Sequence, residues 1–162
     1  GGYGLIRFSH FIPLPLMLLT MAGIIITASL CMRQTDLKAL IALSSVSHMN
    51  LVIAAILVQS KWSFNGAMMM MVAHGLTSSA LFCLANTAYE RTNSRTMILL
   101  RGTALIFPLA GTWWLMILLF NMALPPSINF CAELFILTSI FNWSKTAFLV
   151  ITINLVFTTA YT

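Results

Sequence analysis

Apolar residues run along this chain in blocks of roughly 20, the length that carries a helix across a lipid bilayer, separated by short charged or turn-rich joints. A first block covers about 14–32, after the breaker Pro13-Leu14-Pro15 and before Arg33-Gln34. A second runs from about Leu37 to Val58 and is closed by Gln59-Ser60-Lys61. The third, about Phe64 to Tyr89, ends in the polar run Glu90-Arg91-Thr92-Asn93-Ser94-Arg95. A last block begins near Thr146 and continues to Thr162. Each predicts a membrane-spanning helix.

The stretch from Thr103 to Trp143 is about 60 Å long as a continuous helix, and Pro125-Pro126 interrupts it. Proline removes a backbone donor and clashes with the preceding turn. Two short spans would resolve this, and so would one discontinuous span whose broken middle, near 121–129, is buried in protein. The pattern leaves both open. The expected fold is all-α: a polytopic transmembrane helix bundle of about five spans in a single domain over residues 1–162.

Composition strengthens that reading. The chain has 162 residues, of which 60% are hydrophobic and only 7% charged, with mean hydropathy +0.97. About a quarter of an ordinary soluble domain is charged, so a soluble monomer is excluded and the lipid bilayer is the expected solvent. The net charge of +5 does not point to nucleic acid, because its basic residues are scattered between apolar blocks instead of forming a patch. They sort by side instead. Arg33 and Lys38 follow the first span and Arg91, Arg95 and Arg101 follow the third, so both groups fall on one face, while Arg7 and Lys61 fall on the other, joined by Lys145 if Thr103 to Trp143 is a single span. The richer face is expected inside.

Cys31, Cys83 and Cys131 sit in apolar blocks without C-x-x-C spacing. They read as small buried thiols, not as a disulfide framework or zinc site. The chain opens on Gly1-Gly2-Tyr3-Gly4 and shows no signal-peptide pattern, so it is expected to be an internal piece of a longer protein. The run Met68 to Met71 reads as gap-filling, and Trp113-Trp114 as membrane packing or an interfacial position. No glycine-rich phosphate loop, haem-attachment motif or nucleophile elbow is present.

Four ionisable residues break the apolar blocks: Lys38, His48, His74 and Glu133. Lys38, Ser45 and His48 follow one side of the second helix at spacings of seven and three. His48 lies ten residues beyond Lys38, a rise of about 15 Å, and His74 lies ten residues inside the third block, which enters from the other face. Both histidines therefore reach the middle of a bilayer core of roughly 30 Å, and Thr77 and Ser78 share the side of His74. Ionisable groups are costly in hydrocarbon and usually face a bundle interior or a hydrated path. Histidine exchanges a proton near neutral pH, so with hydroxyls and water these residues suit a proton relay. The plainer alternative is hydrogen bonding across helices, with Lys38 snorkelling to the interface. Glu133 is the only acid inside an apolar run, seven residues after Pro126 and one turn after Asn129. A broken helix leaves room for water and unpaired backbone, where transporters place ion sites.

Three stretches carry a family resemblance. Arg33-Gln34-Thr35-Asp36-Leu37-Lys38 with Ser44-Ser45-Val46-Ser47-His48-Met49 is the first. Ala73-His74-Gly75-Leu76-Thr77-Ser78-Ser79 with Tyr89-Glu90-Arg91 is the second, and Leu124-Pro125-Pro126-Ser127-Ile128-Asn129 leading to Glu133-Leu134-Phe135 is the third. Together they resemble the antiporter-like subunits of respiratory complex I, and in particular a mitochondrially encoded one, along essentially the whole chain. The resemblance implies a fold with two inverted five-helix repeats, each with one broken helix, of which this chain corresponds to the end of one helix and the second repeat. It implies that Lys38, His48 and His74 belong to a central polar axis ending at Glu133, and that an acid–lysine pair and a further lysine lie upstream of Gly1. It also implies that this chain binds no cofactor, with NAD, FMN, iron–sulfur clusters and ubiquinone belonging to the wider complex. Its implied partners are other membrane subunits of that complex, in the mitochondrial inner membrane. Leu43 stands where the family commonly has tyrosine, and Ala132 where glycine usually precedes the glutamate. The functions in competition are a proton-translocating subunit of NADH:ubiquinone oxidoreductase, a subunit of a multisubunit cation/proton antiporter, and a scaffold whose polar residues only lock helices together.

Overall fold

The computed structural model describes residues 2–11 and 15–162, so Pro13 and Leu14 of the first breaker lie outside the described residues. A short helix α1 (Gly2–Phe8) and a 3-10 turn (Ser9–Phe11) precede α2 (Pro15–Cys31). Proline suits that opening position, because the first helical residue has no intrahelical N–H partner to lose. Helices α3 (Leu37–Val58) and α4 (Lys61–Thr92) follow, then a one-turn α5 (Thr103–Ile106), α6 (Pro108–Asn121), α7 (Ile128–Trp143) and α8 (Lys145–Tyr161).

Among the described residues, only α3 and α4 are individually long and apolar enough to cross a membrane; the helices of 14 to 17 residues are apolar but shorter. The helices are nonetheless apolar all round, which is the mark of surroundings that are apolar on every side. Leu105 is 89% exposed, Leu18 74%, Leu109 73% and Leu76 65%, on four different helices. Water would not tolerate that surface and lipid would.

Five helices close into a ring: α2 packs on α3, α3 on α4, α4 on α7, α7 on α8, and α8 returns to α2, with α3 also touching α7 across the middle. Ile24, Val52, Met70, Ile136, Ile140 and Ile151 fill the centre. Lipid tails are as apolar as these side chains, so close packing has to hold such helices together, and small residues allow it. Ala28, Ala54, Ala55, Ala67 and Ala132 are fully buried at the contacts. At Gly66 a Cβ would stand 2.9 Å from Ile136 Cγ1 and 3.2 Å from the Ala132 carbonyl, so only glycine lets α4 approach α7 this closely.

The turn between α3 and α4 is two residues long. Gln59 takes a left-handed conformation (φ 54°), and the Ser60 and Ser63 hydroxyls each accept a bond from the other's backbone N–H, capping α4 reciprocally. At the far end of the pair the two basic joints meet. The Leu37 N–H donates to the Arg95 carbonyl (3.1 Å) and the Met97 N–H to that of Thr35 (3.0 Å), around a bridge between Asp36 and Thr96. We refer to this as the basic end.

The interrupted block is a single discontinuous path. Helix α6 starts near the basic end and lies along the second half of α4, where Trp114 packs by Leu81 and Ile41. Helix α7 continues along the first half of α4, without a side-by-side contact to α6 of the kind a hairpin would make. Between them Ala123 takes φ 54°, and the Asn129 Nδ2 donates to the Phe120 carbonyl across the gap (2.9 Å). The Ser127 hydroxyl accepts from the Phe130 N–H and starts α7.

Candidate proton-path site

The rise along α3 and along α4 brings His48 and His74 to one depth, and the structure sets their rings beside each other at a tilt. The centroids are 5.1 Å apart with 36° between the planes, and the residues are 4% and 5% exposed. His48 Nε2 and His74 Nδ1 are buried with no hydrogen-bond partner among the described residues. Two full charges at that distance would repel by about 3 kcal/mol even at an effective dielectric constant of roughly 20. The geometry therefore suits one proton held between two imidazoles, with nitrogen atoms left free to pass it on.

The serines beside His48 differ from the stripe expected from spacing. Ser45 is only half-buried, whereas Ser44 and Ser47 face the interior. Helix α3 packs against both α2 and α4, which turns the buried arc away from the line through Lys38 and Ser45. Ser44 and Ser47 each donate back to a carbonyl three residues earlier at 2.8 Å, leaving their oxygens able to accept.

Lys38 is not brought to the histidines. It sits half-buried at the basic end, with its Nζ 5.1 Å from the centre of the Tyr89 ring, and Arg95 lies at the same distance from that ring. Glu133 is buried on α7, in the ring interior. Asn129, one turn before it, is occupied in stapling the break, but its Oδ1 is buried and unpartnered among the described residues.

Helix α8 carries a group that spacing alone did not bring forward. Asn154, Thr158 and Tyr161 recur at intervals of four and three on a mainly apolar helix, and the first two are buried. The Tyr161 hydroxyl faces that of Ser47 without closing a well-formed hydrogen bond, and lies within the electrostatic reach of Glu133 and Cys31. Cys31 is buried as expected, but Cys83 and Cys131 are exposed on the outside of the bundle, because they fall on the outward arcs of α4 and α7.

The chain has known relatives along nearly its whole length. The transmembrane family described as NADH:quinone oxidoreductase/Mrp antiporter matches residues 1–158. The chain belongs to that family. Among curated members of the NADH:quinone oxidoreductase/Mrp antiporter family, NADH-ubiquinone oxidoreductase chain 4 of Tropidolaemus wagleri is 51% identical over 99% of this chain and 73% of its own length. That of Polypterus ornatipinnis is 54% identical over 99% of this chain and 37% of its own. That of Formosania lacustris reaches 58% identity over 89% of this chain and 33% of its own. The chain thus spans about a third of the length of those last two relatives. Among solved structures, the Mrp complex from Dietzia sp. DQ12-45-1b shares the fold, with a TM-score of 0.79 and 25% identity over 99% of this chain and 19% of the matched one. The resemblance read from the three sequence stretches is borne out, and so is the all-helical membrane fold.

Proposed function

We propose that this chain is part of a proton-translocating membrane subunit of NADH:ubiquinone oxidoreductase, in the mitochondrial inner membrane, working beside the other membrane subunits of that complex. The observation that carries this reading is the His48–His74 pair, buried at the centre of the bundle with ring nitrogens unpartnered among the described residues. Identity of 50% and more to chain 4 relatives supports the assignment to that enzyme. In this reading Lys38 collects charge at the basic end, His48 and His74 hold and exchange a proton at mid-depth, and Glu133 receives it beside the break in α6–α7. The chain itself supplies no electron-transfer group: NAD, FMN, iron–sulfur clusters and ubiquinone act elsewhere in the complex and drive this path at a distance.

Replacing Glu133 by Gln in the full-length protein tests the proposal. The complex should assemble, while proton pumping coupled to NADH-driven quinone reduction falls by about tenfold or more, since a positioned proton-transfer group typically contributes about a hundredfold or more. Unchanged pumping and unchanged quinone reduction in the assembled variant would sink the reading. The fold shared with an Mrp complex supports a second reading, a cation/proton antiporter subunit. Sodium-dependent proton exchange without any dependence on NADH would favour it.

A further inference from the structure

The histidine pair lies between α3 and α4 and Glu133 lies on α7, whereas Lys38 stays beside Tyr89 at the basic end. A cavity of about 170 Å³ lies on that side of the bundle. Leu37 and Met97, from the two basic joints, line it together with Ser44, Asn121 and Tyr161. It has volume for several waters at roughly 30 Å³ each, and Ser44, Asn121, Tyr161 and Thr162 bring polar side chains to its otherwise apolar wall.

Tyr161 stands where that cavity meets the buried polar groups. Its hydroxyl is buried with no hydrogen-bond partner among the described residues. An unpaired phenol in such a place costs free energy unless water or a carboxylate engages it. Ser47 faces it from α3 and Glu133 is within electrostatic reach from α7. Ser47 is also the residue directly before His48, and both are buried. One turn of α3 therefore presents a hydroxyl towards α8 and an imidazole towards α4.

We infer that Tyr161 is the hydroxyl bridge through which protons pass from water in the basic-end cavity to Glu133 and, by way of Ser47, to the histidine pair. In each transfer the phenol oxygen accepts a proton from cavity water as its own O–H proton leaves towards the Glu133 carboxylate. Rotation about the C–O bond then restores the starting orientation, with no net change in the tyrosine. The group acts as a relay and never has to hold a charge. This inference rests on the proton-path reading above and adds a residue and an entry side to it.

Tyr161→Phe in the full-length protein, within the assembled complex in sealed vesicles, provides the test, run beside Glu133→Gln. Phenylalanine keeps the ring and removes only the oxygen. Pumping should fall by about tenfold or more, while NADH oxidation by a soluble artificial acceptor stays at the parent rate. The loss should deepen as the proton concentration falls, because uptake becomes limiting; a merely structural defect would lower pumping equally at every pH. Ser44→Val, which fills the cavity and leaves the tyrosine in place, should reproduce the loss, and it decides the matter should Tyr161→Phe fail to assemble. Parent-level pumping in Tyr161→Phe together with lost pumping in Glu133→Gln would overturn the bridge and leave the path standing. Parent-level pumping in both would overturn both. A pH-independent loss in Tyr161→Phe, or parent-level pumping in Ser44→Val, would also overturn the bridge.

Discussion

Helices α3 and α4 run unbroken for 22 and 32 residues, whereas α6 and α7 cover a comparable distance with a gap of six residues between them. The two regions meet the same requirement by different means. In the unbroken pair every internal backbone group is hydrogen-bonded within its helix. Chemistry there comes only from side chains, and His48 and His74 supply it without cost to the helices. At the gap the regular ladder gives way to turn bonds from the N–H groups of Met122, Ala123, Leu124 and Ser127, and side chains are spent on reinforcing them: Asn129 staples Phe120, and Ser127 starts α7. Polar residues on a continuous helix are therefore free for function, while those at a break carry stability as well.

The largest effect should come from the continuous pair. His74→Leu is expected to lower pumping by about tenfold or more with little change in thermal unfolding of the detergent-solubilised complex. His48→Leu should do the same, and the double variant should be little worse than either, since groups acting as a unit are not additive. Additive losses would mean that the two rings work separately. Next comes the contact that ties the two regions together. Gly66→Leu pushes a side chain into Ile136 and Phe135, and overpacking of this kind costs about 1–3 kcal/mol, read as a lower unfolding midpoint and reduced assembly.

Asn129→Leu should cost about 1.5 kcal/mol by removing the bond across the gap, the Phe120 carbonyl keeping the Ala123 N–H as its partner, and should lower pumping in parallel. Separation of those two losses would break the contrast between gap and continuous helix. Smaller still, Ser60→Ala removes one half of the reciprocal cap and should cost about 1 kcal/mol, with pumping unchanged. Tyr89→Leu removes the ring beside Lys38 and Arg95, each such contact being worth about 0.5–1 kcal/mol where exposed, and should show mainly as easier opening of the basic joints by hydrogen exchange.

What could be read from the sequence divides along the same line. The common depth of His48 and His74 followed from the uniform rise of a helix, which holds wherever the helix is unbroken. Whether Thr103–Trp143 formed one path or two did not follow, because it depends on α6 and α7 sharing α4 as a neighbour, a contact distant in sequence. The choice of Ser44 and Ser47 over Ser45 depended on which arc of α3 meets α2 and α4. The pairing of Leu37 with Arg95 and of Thr35 with Met97 joins segments about sixty residues apart and leaves no local pattern. Tyr161 is different: its spacing from Thr158 and Asn154 was visible, but a neutral hydroxyl near polar threonines does not stand out as a charge does in lipid.

The two-residue turn at Gln59-Ser60 sets the register between α3 and α4, and so the meeting of the histidines. An extra residue in either helix between His48 and His74 would rotate one ring by about 100° and shift it by about 1.5 Å relative to the other. The long basic joint after α4, at residues 93–102, could absorb the same insertion. Natural variation in this protein should then be tolerant of length changes in that joint and intolerant of them from 48 to 74. In that interval the count of residues is itself heritable information, fixed by the need for two side chains to arrive at one place from opposite directions.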